Sequence, residues 1–412
     1  MNILLGVYAC EPNKGSEPEV GWQMVNELAK SMPNDTFHAI TKANNQEEIE
    51  KELCPKNVKF YYYAPPKWLT FWKKGGRGVR IYYYLWMIGA ALYMKKQRSS
   101  FDIVHHITFV NDWLPSFFYL LKRKENRFIW GPIGSHDPIE EKFLDGNKRK
   151  LIEKIRIGLQ LFFRNLDPSF YICRHKADCI IGINDNVGKK LKLKANKYFV
   201  AEPAIGMKKS SVEKIEQNIE EDDTFLIVSV GRLLYIKNFK LSIISFAKFL
   251  KNNPEVNAKL QIIGEGGDRK SLETLTSNLG VSEHVEFVGN IPLQDVQKRF
   301  AMANLFLFPT LENAGFVTLE AMSNALPIIA MKYGGPEQFI KHNVEEQLVS
   351  STQSYEEISD DISARIESFY ADTSLRKKVG VQNREDILNL FTWEAKAEKM
   401  KKIYNDLLEK ND

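Results

Sequence analysis

Cysteine and histidine are scarce in this sequence, and neither is grouped as in a metal site. The four cysteines, Cys10, Cys54, Cys173 and Cys179, form no C-x-x-C pair, and no His/Cys group has zinc spacing. This pattern argues against a disulfide framework or a structural zinc site. We expect four reduced thiols in a cytoplasmic protein and no metal or other cofactor.

Long apolar runs are also missing. The uncharged stretch Ile81–Met94 has fourteen residues, too few for a helix that crosses a bilayer. The apolar run at the N-terminus lacks a basic leader and ends at Glu11, so it is unlike a signal peptide and typical of a buried first strand.

The chain has 412 residues, of which 44% are hydrophobic and 26% charged, with a net charge of +5. This length predicts two domains of ordinary size, each with its own core. The small net charge indicates no particular partner, and no nucleic-acid motif accompanies it.

Short β-branched or aromatic runs alternate with amphipathic stretches, which predicts a mainly parallel α/β architecture. Predicted strands are Ile3–Tyr8, Phe37–Thr41, Val58–Tyr63, Asp102–Ile107, Arg127–Trp130, Cys179–Ile183, Tyr198–Glu202, Thr224–Val230, Lys259–Ile263, Val285–Val288, Leu305–Phe308 and Pro327–Ala330. Predicted helices include Glu19–Ser31, Trp113–Lys122, Asn238–Lys251, Arg269–Asn278, Gln294–Ala303 and Thr318–Asn324.

The polar stretch Lys208–Asp223 is the best linker candidate between two halves. It divides the chain into an N-terminal domain, 1–207, and a C-terminal domain, 208–390. The segment from Ser354 onward is helical by periodicity. We expect its last part, 391–412, to pack back on the N-terminal domain as a helix.

Acidic residues are absent between Glu52 and Asp102, a window that holds ten Lys or Arg and many Tyr and Trp. Trp68, Trp72, Lys73 and Lys74 suit a surface that docks on anionic lipid headgroups. A second basic amphipathic stretch, 148–164, favours the same interpretation. The alternative is a core helix over residues 81–94 preceded by a solvated basic loop.

The segment from Phe308 to Met322 carries the clearest chemical signal. A buried strand leads into a short loop with Gly315, and a helix opens near Val317, where free N–H groups and the helix dipole would seat a diphosphate. Glu312 and Glu320 lie before and on this helix. A carboxylate beside a phosphate site is costly unless it contacts sugar hydroxyls.

Two cations follow the first strand of the second half. Arg232 and Lys237 would neutralise a leaving nucleoside diphosphate if they face the same helix. The alternative is that both are surface charges.

These residues resemble glycosyltransferase family four, a group of retaining enzymes with the GT-B fold, two Rossmann-like domains that face each other across a cleft. The matching motifs run in order through the second half. They are Gly231-Arg232 with Lys237, Gly264-Glu265-Gly266, Phe287-Val288-Gly289, the E-x7-E pair Glu312 and Glu320 with Ala321-Met322, Pro327-Ile328-Ile329, and Gly334-Gly335-Pro336-Glu337. Ala325 departs from the family, which usually has glycine there.

The resemblance implies a role for each motif residue. Arg232 and Lys237 would hold the donor diphosphate, Glu312 the donor sugar and Glu320 the ribose. The remaining donor contacts would be the backbone N–H groups of Gly315, Phe316 and Val317, with Asn290 or Ile291 near the base.

The loop Cys10–Trp22 resembles a bacterial subgroup associated with cell-surface polysaccharide assembly, which makes Gly15 and Ser16 site candidates. The family often has a histidine at the strand end near 105 that contacts the donor sugar. His105 and His106 compete for this role, and either is alternatively a satisfied core histidine.

We therefore expect a retaining, metal-independent hexosyltransferase that uses a UDP- or GDP-sugar and a growing, lipid-linked glycan, on the inner face of the plasma membrane. The alternatives are a sugar-nucleotide epimerase of the same fold, an NAD-dependent oxidoreductase and a non-catalytic membrane scaffold. Arg269 replaces the third glycine of a dinucleotide fingerprint at Gly264, which argues against the oxidoreductase.

Overall fold

The computed structural model describes residues 1–73, 75, 78–97, 99–215, 224–313 and 315–409. They form two units, each built on a parallel sheet. Unit 1 comprises 1–135, 155–206 and the segment from 393 onward, and unit 2 comprises 136–154 and 207–392. Lys74, one predicted lipid contact, and the second half of the predicted linker lie outside the described residues.

The strands are β1 (Asn2–Gly6), β2 (Thr36–Lys42), β3 (Val58–Tyr63), β4 (Ile103–His106), β5 (Arg127–Ile133), β6 (Cys179–Gly182), β7 (Tyr198–Ala201), β8 (Phe225–Val230), β9 (Ala258–Ile263), β10 (Val285–Gly289), β11 (Leu305–Phe308), β12 (Ile328–Met331) and β13 (Leu348–Val349).

The helices are α1 (Ser16–Ser31), α2 (Gln46–Glu50), α3 (Lys67–Thr70), α4 (Val79–Lys96), α5 (Gly146–Leu166), α6 (Pro168–Lys176), α7 (Asp185–Lys190), α8 (Lys209–Glu213), α9 (Phe239–Asn252), α10 (Arg269–Asn278), α11 (Leu293–Met302), α12 (Phe316–Ser323), α13 (Gly334–Phe339), α14 (Val344–Gln347), α15 (Tyr355–Ala371), α16 (Thr373–Leu390) and α17 (Trp393–Glu409).

The sheet of unit 1 has seven strands in the order β3-β2-β1-β4-β5-β6-β7, all parallel. Its central strands are buried along their length, as expected when helices cover both faces. The stretch 81–94 forms most of α4, which buries Tyr83, Trp86 and Met87 in the core of this unit. The core-helix interpretation therefore holds for that stretch.

The C-terminal helix α17 belongs to unit 1, where it packs on α1. Its Tyr404 hydroxyl lies 2.7 Å from Nδ1 of His105 on β4. The buried Lys396 on the same helix donates to Glu202 at 2.5 Å. Burial alone would raise the pKa of Glu202, but Lys396 and Lys399 outweigh it and lower that pKa. A charged pair inside the core therefore holds this helix in place.

The sheet of unit 2 has six strands in the order β10-β9-β8-β11-β12-β13, again all parallel. Its core includes Phe143, which comes from the segment 136–154 far earlier in the chain. The predicted N-terminal domain, 1–207, placed this segment in the wrong unit. Local patterning cannot show which sheet a connecting segment joins.

The segment from Ser354 onward is helical, as predicted, and is divided into three helices, because Asp372 caps the start of α16 and α17 begins anew at Trp393. Two other local predictions need correction. The predicted helix 113–122 contains only a short 3-10 turn at Phe117–Leu121. The two-residue strand β13 was missed, since a strand so short leaves no period-two pattern.

Candidate functional site

Glycines bring the backbone together at the carboxyl edge of the unit 2 sheet. Gly231 follows β8 and Gly264 follows β9, with φ angles of 154° and 134°. A Cβ atom on Gly264 would lie 2.0 Å from the carbonyl oxygen of Gly231. Only glycine permits this approach, so the two strand ends are held tightly side by side.

The loops after β8 and β11 are joined at the same edge. The N–H of Leu311 donates to the carbonyl of Ile236 at 2.8 Å. The Lys237 ammonium donates to Glu312 Oε2 at 2.6 Å and lies 5.1 Å from the centre of the Phe308 ring. Two residues that are far apart in sequence thus form one largely buried ion pair beside the sheet edge.

Helix α12 begins at Phe316, four residues after Glu312. Gly315 is its N-cap, and the N–H groups of Phe316 and Val317 have no backbone acceptor among the described residues. The first N–H groups of a helix are unpaired and carry its positive dipole end, so they attract anions.

Buried polar atoms without partners lie in the same loop. Neither Asn313 Oδ1 nor Asn313 Nδ2 has a hydrogen-bond partner within the described part of the chain, and neither does Thr318 Oγ1. Such atoms are normally satisfied, so three of them at one helix start indicate room for a polar ligand. The sequence analysis did not select either residue, although both lie within the E-x7-E motif.

Glu320 and Arg232 stand apart from the ion pair. Burial raises the pKa of Glu320 to about 7, and its carboxylate has no hydrogen bond or ion pair in the described structure. Arg232 is exposed, and its guanidinium likewise has no partner in the described ranges. Asn290 and Ile291 follow β10 on the same edge of the sheet.

The structure therefore brings some of the predicted donor-site residues into contact, whereas the others lie at the same edge of the sheet without a direct contact. Lys237 and Glu312 are in contact, and Gly315, Phe316 and Val317 form the helix start beside them. A cavity of about 290 Å³ in unit 2 is lined instead by residues such as Arg149, Tyr235 and Asn238. None of the predicted donor contacts lines it.

The loop after β1 in unit 1 has an unusual backbone. Gly15 and Ser16 have φ angles of 66° and 52°, and both residues are exposed. Glu17, one residue later, accepts a hydrogen bond from the N–H of Phe109 at 2.6 Å, and burial raises its pKa. This links the start of α1 to the loop after β4.

The two histidines of β4 are fully buried, which corrects their predicted role. His105 Nε2 lies 2.7 Å from the carbonyl oxygen of Gly131 and therefore donates, so its Nδ1 accepts from the Tyr404 hydroxyl. His106 has Ser116 Oγ at 2.8 Å and the Tyr83 hydroxyl at 3.1 Å.

Desolvation lowers the pKa of His105 to about 4 and that of His106 to about 3. Both rings are thus neutral, and all four ring nitrogens are occupied within the core. Neither side chain is available to a donor sugar in this structure. The alternative interpretation, a satisfied core histidine, holds for both.

Lys42 is a candidate that the sequence analysis missed. It ends β2, and its ammonium lies 4.8 Å from the centre of the Tyr8 ring. It has no ion pair among the described residues, and burial lowers its pKa, as do Lys14 and Lys73. An unpaired, half-buried cation at a sheet edge is costly, which favours an anionic ligand there.

The predicted lipid-contact residues differ in exposure. Trp68 projects into solvent, whereas Trp72 is partly buried and donates its indole N–H to the carbonyl of Leu69 at 2.8 Å. The Lys73 ammonium donates to the carbonyl of Gly75 and faces the Tyr82 ring. Among the helices of the described residues, none is long and apolar enough to cross a bilayer.

Comparison with known proteins finds sequence similarity in the second unit. Residues 211–386 match the family described as glycosyl transferases group 1. An uncharacterized glycosyltransferase of Methanocaldococcus jannaschii is 30% identical over 190 residues, covering 46% of this chain and 47% of that protein. A GDP-mannose-dependent phosphatidylinositol monomannoside mannosyltransferase of Mycolicibacterium smegmatis is 25% identical over 189 residues, covering 44% and 48%. The chain thus spans about half the length of the curated relatives it matches.

Solved structures extend the likeness in fold to both units. Sucrose-phosphate synthase from Thermosynechococcus elongatus superposes with a TM-score of 0.64 at 18% identity, covering 99% of each chain. The Anabaena protein HepE, solved with UDP, superposes with a TM-score of 0.61 at 14% identity, covering 98% of this chain and all of that one. The predicted GT-B fold class is confirmed: the chain has two parallel-sheet α/β units, and residues 211–386 are similar to the glycosyl transferases group 1 family.

Proposed function

We propose that this protein is a retaining glycosyltransferase that moves a hexose from a UDP- or GDP-sugar to a growing, lipid-linked surface glycan. The observation that carries the proposal is the Lys237–Glu312 pair beside the open start of α12. A cation, a carboxylate and unpaired amides at one helix start suit a diphosphate joined to a sugar.

The donor diphosphate binds against the N–H groups of Gly315, Phe316 and Val317. Lys237 then exchanges part of its contact with Glu312 for a phosphate oxygen, and the exposed Arg232 closes on the other side. Glu312 accepts hydrogen bonds from sugar hydroxyls. Because Glu320 lies largely buried on the second turn of α12 without a partner, it binds the ribose hydroxyls.

The base of the nucleotide lies near Asn290 and Ile291, in the loop after β10. Guanine and uracil are the two bases that we propose, and similar proteins support each of them. One relative is described as GDP-mannose-dependent, and one structural neighbour was solved with UDP.

Transfer exchanges one bond to the anomeric carbon for another on the same face of the sugar. The acceptor oxygen bonds to the anomeric carbon as the bond to the phosphate oxygen breaks. The acceptor proton passes to the departing phosphate, which leaves as a nucleoside diphosphate. Arg232 and Lys237 stabilise the negative charge that develops there, and this is the work that a metal ion does in other transferases. The reaction is accordingly metal-independent.

The acceptor binds at the carboxyl edge of the unit 1 sheet. The exposed loop at Gly15 and Ser16 offers backbone groups to the acceptor sugar. Lys42, which is half-buried and unpaired in the described structure, binds a phosphate of the carrier lipid. This assignment agrees with a glycan carried on a lipid pyrophosphate at the inner face of the plasma membrane.

Calorimetry with UDP, GDP and NAD tests the donor class before any acceptor is known. We expect one of the two nucleoside diphosphates to bind and NAD not to bind. NAD binding without UDP or GDP binding would replace the proposal with an oxidoreductase.

A panel of nucleotide sugars then identifies the donor through slow donor hydrolysis. We expect Glu320→Ala and Arg232→Ala to abolish hydrolysis and transfer while the circular dichroism spectrum stays unchanged. EDTA should have no effect. Interconversion of the donor sugar without its release would instead indicate an epimerase.

A further inference from the structure

The second half of helix α5 turns an apolar stripe to solvent. Ile155, Leu159, Phe162 and Leu166 follow one another at steps of four, three and four residues, which places them on one face. Their exposed fractions lie between 52% and 66%. A surface helix of a globular protein normally turns such a stripe inward.

The opposite face of this half of α5 packs within unit 1, in part through polar side chains. Gln160 is buried there, and the Arg164 guanidinium donates to Asp112 through its carbonyl at 3.0 Å and its carboxylate at 2.7 Å. The Asp112 side chain is itself buried and accepts from the Ser135 hydroxyl. These contacts fix the rotation of the helix, so its outward apolar face is built into the fold.

A second exposed apolar segment belongs to the same unit. Trp68 and Phe71 are 73% and 79% exposed. The helix that follows them, α4, is connected to α5 through Trp113. The Arg80 guanidinium of α4 lies 4.6 Å from the centre of the Trp113 ring, and the same indole packs on Phe163 of α5 at 5.7 Å.

The charge around both segments is positive. No acidic residue occurs in 53–101, and residues 146–176 contain eight Lys or Arg against two acidic residues. Cations beside exposed aromatic and aliphatic side chains complement an anionic lipid surface. A second copy of this chain is a poorer partner for this surface. A two-fold interface pairs the same surface of both copies, so the positive charges would repel each other.

We propose that α5 lies in the plane of an anionic phospholipid bilayer, with the stripe from Ile155 to Leu166 inserted at the headgroup boundary and with Trp68 and Phe71 as a second, weaker contact. This makes α5, rather than the segment 67–74, the main lipid-binding element, and it lies outside both sheet edges. It stands independently of the transfer reaction, because it needs neither donor nor acceptor.

Co-sedimentation of the full chain with vesicles tests the proposal. The vesicles contain phosphatidylcholine with about a third phosphatidylglycerol, or phosphatidylcholine alone. We expect binding to the anionic vesicles only. Leu159→Glu combined with Phe162→Glu should reduce the bound fraction roughly tenfold or more, because two carboxylates replace the inserted side chains. Trp68→Ala with Phe71→Ala should reduce it by a smaller factor.

Leu293→Glu is the matched control, since Leu293 is 62% exposed at the start of α11 in unit 2. It should bind vesicles as the unchanged protein does. Circular dichroism and donor hydrolysis should be the same for all variants, which separates lipid binding from catalysis.

Undiminished vesicle binding by the Leu159/Phe162 variant would overturn the proposal. So would a dimer in size-exclusion chromatography that this variant converts to monomer, with no binding of the unchanged protein to vesicles. That result would assign the stripe to a second copy of the chain.

Discussion

The carboxyl edges of the two sheets both carry polar side chains, but these side chains differ in whether they have hydrogen-bond partners. In unit 2, Lys237 and Glu312 pair at the strand ends, while Glu320 and the Asn313 amide remain without partners among the described residues. In unit 1, the histidines that end β4 have every ring nitrogen occupied inside the core. Unmet polar groups indicate a ligand site, whereas satisfied ones indicate structure. A polar residue at a strand end is therefore not enough to identify a site.

The largest expected effect comes from the unit 2 edge. Lys237→Ala should lower the rate of donor hydrolysis or transfer roughly 10²–10³-fold, because it removes a charge that stabilises the leaving diphosphate. Steady-state kinetics measures this. Lys240→Ala is the control, since Lys240 pairs with Asp145 at the surface, and its rate should stay unchanged. An equal loss of rate in both variants would contradict the role of Lys237 in stabilising the leaving diphosphate.

The second test asks whether β4 is structural. His105→Phe should lower the free energy of unfolding by about 2–4 kcal/mol, because Tyr404 and the Gly131 carbonyl lose their buried partner. Denaturant unfolding measures the loss. The folded variant should retain its affinity for the nucleoside diphosphate. Full stability with lost nucleotide binding would return His105 to the donor site.

The third test distinguishes function from stability at Glu320. Burial raises its pKa from 4.5 to about 7, so the folded state disfavours its charged form. The resulting penalty is absent below pH 4.5, grows as the pH rises, and is complete above about pH 7.

Glu320→Gln removes that penalty. It should raise the free energy of unfolding at pH 8 by up to about 3 kcal/mol, leave it unchanged at pH 4, and lower the rate of donor hydrolysis. Thermal unfolding at the two pH values measures the difference. A loss of stability at pH 8 would mean that the carboxylate is satisfied in the folded protein.

The smallest expected effect belongs to the unit 1 edge. Lys42→Ala should raise the KM for a lipid-pyrophosphate acceptor about tenfold and leave kcat nearly unchanged, since one phosphate contact is lost. Lys59→Ala on β3 provides the control. A change in donor hydrolysis instead of acceptor KM would contradict the assignment of Lys42 to the acceptor.

Much of the fold follows from local pattern. The buried strand Leu305–Phe308 and the edge strand Val58–Tyr63 have the predicted bounds, because short runs of apolar and aromatic residues between turn residues specify strands. The predicted helix at 113–122 failed for a tertiary reason: Trp113 packs on Phe163, and its neighbours fold as an irregular segment.

Part of the candidate site likewise follows from the local sequence, and part depends on the tertiary structure. The E-x7-E segment and Gly315 predict a helix start that suits a phosphate, and in the structure α12 begins there. The pairing of Lys237 with Glu312 depends on two loops that meet only when β8 and β11 lie side by side. No spacing along the chain contains that information.

The sequence by itself determined the parallel α/β architecture, the location of the helix that opens at Phe316 and the basic character of segment 53–101, because period, glycine position and charge are local properties. Only the tertiary structure decided that His105 and His106 are buried, that Lys42 is left unpaired among the described residues, and that the apolar stripe of α5 faces solvent. Burial and pairing depend on which elements pack together, and packing joins residues that are distant in the chain.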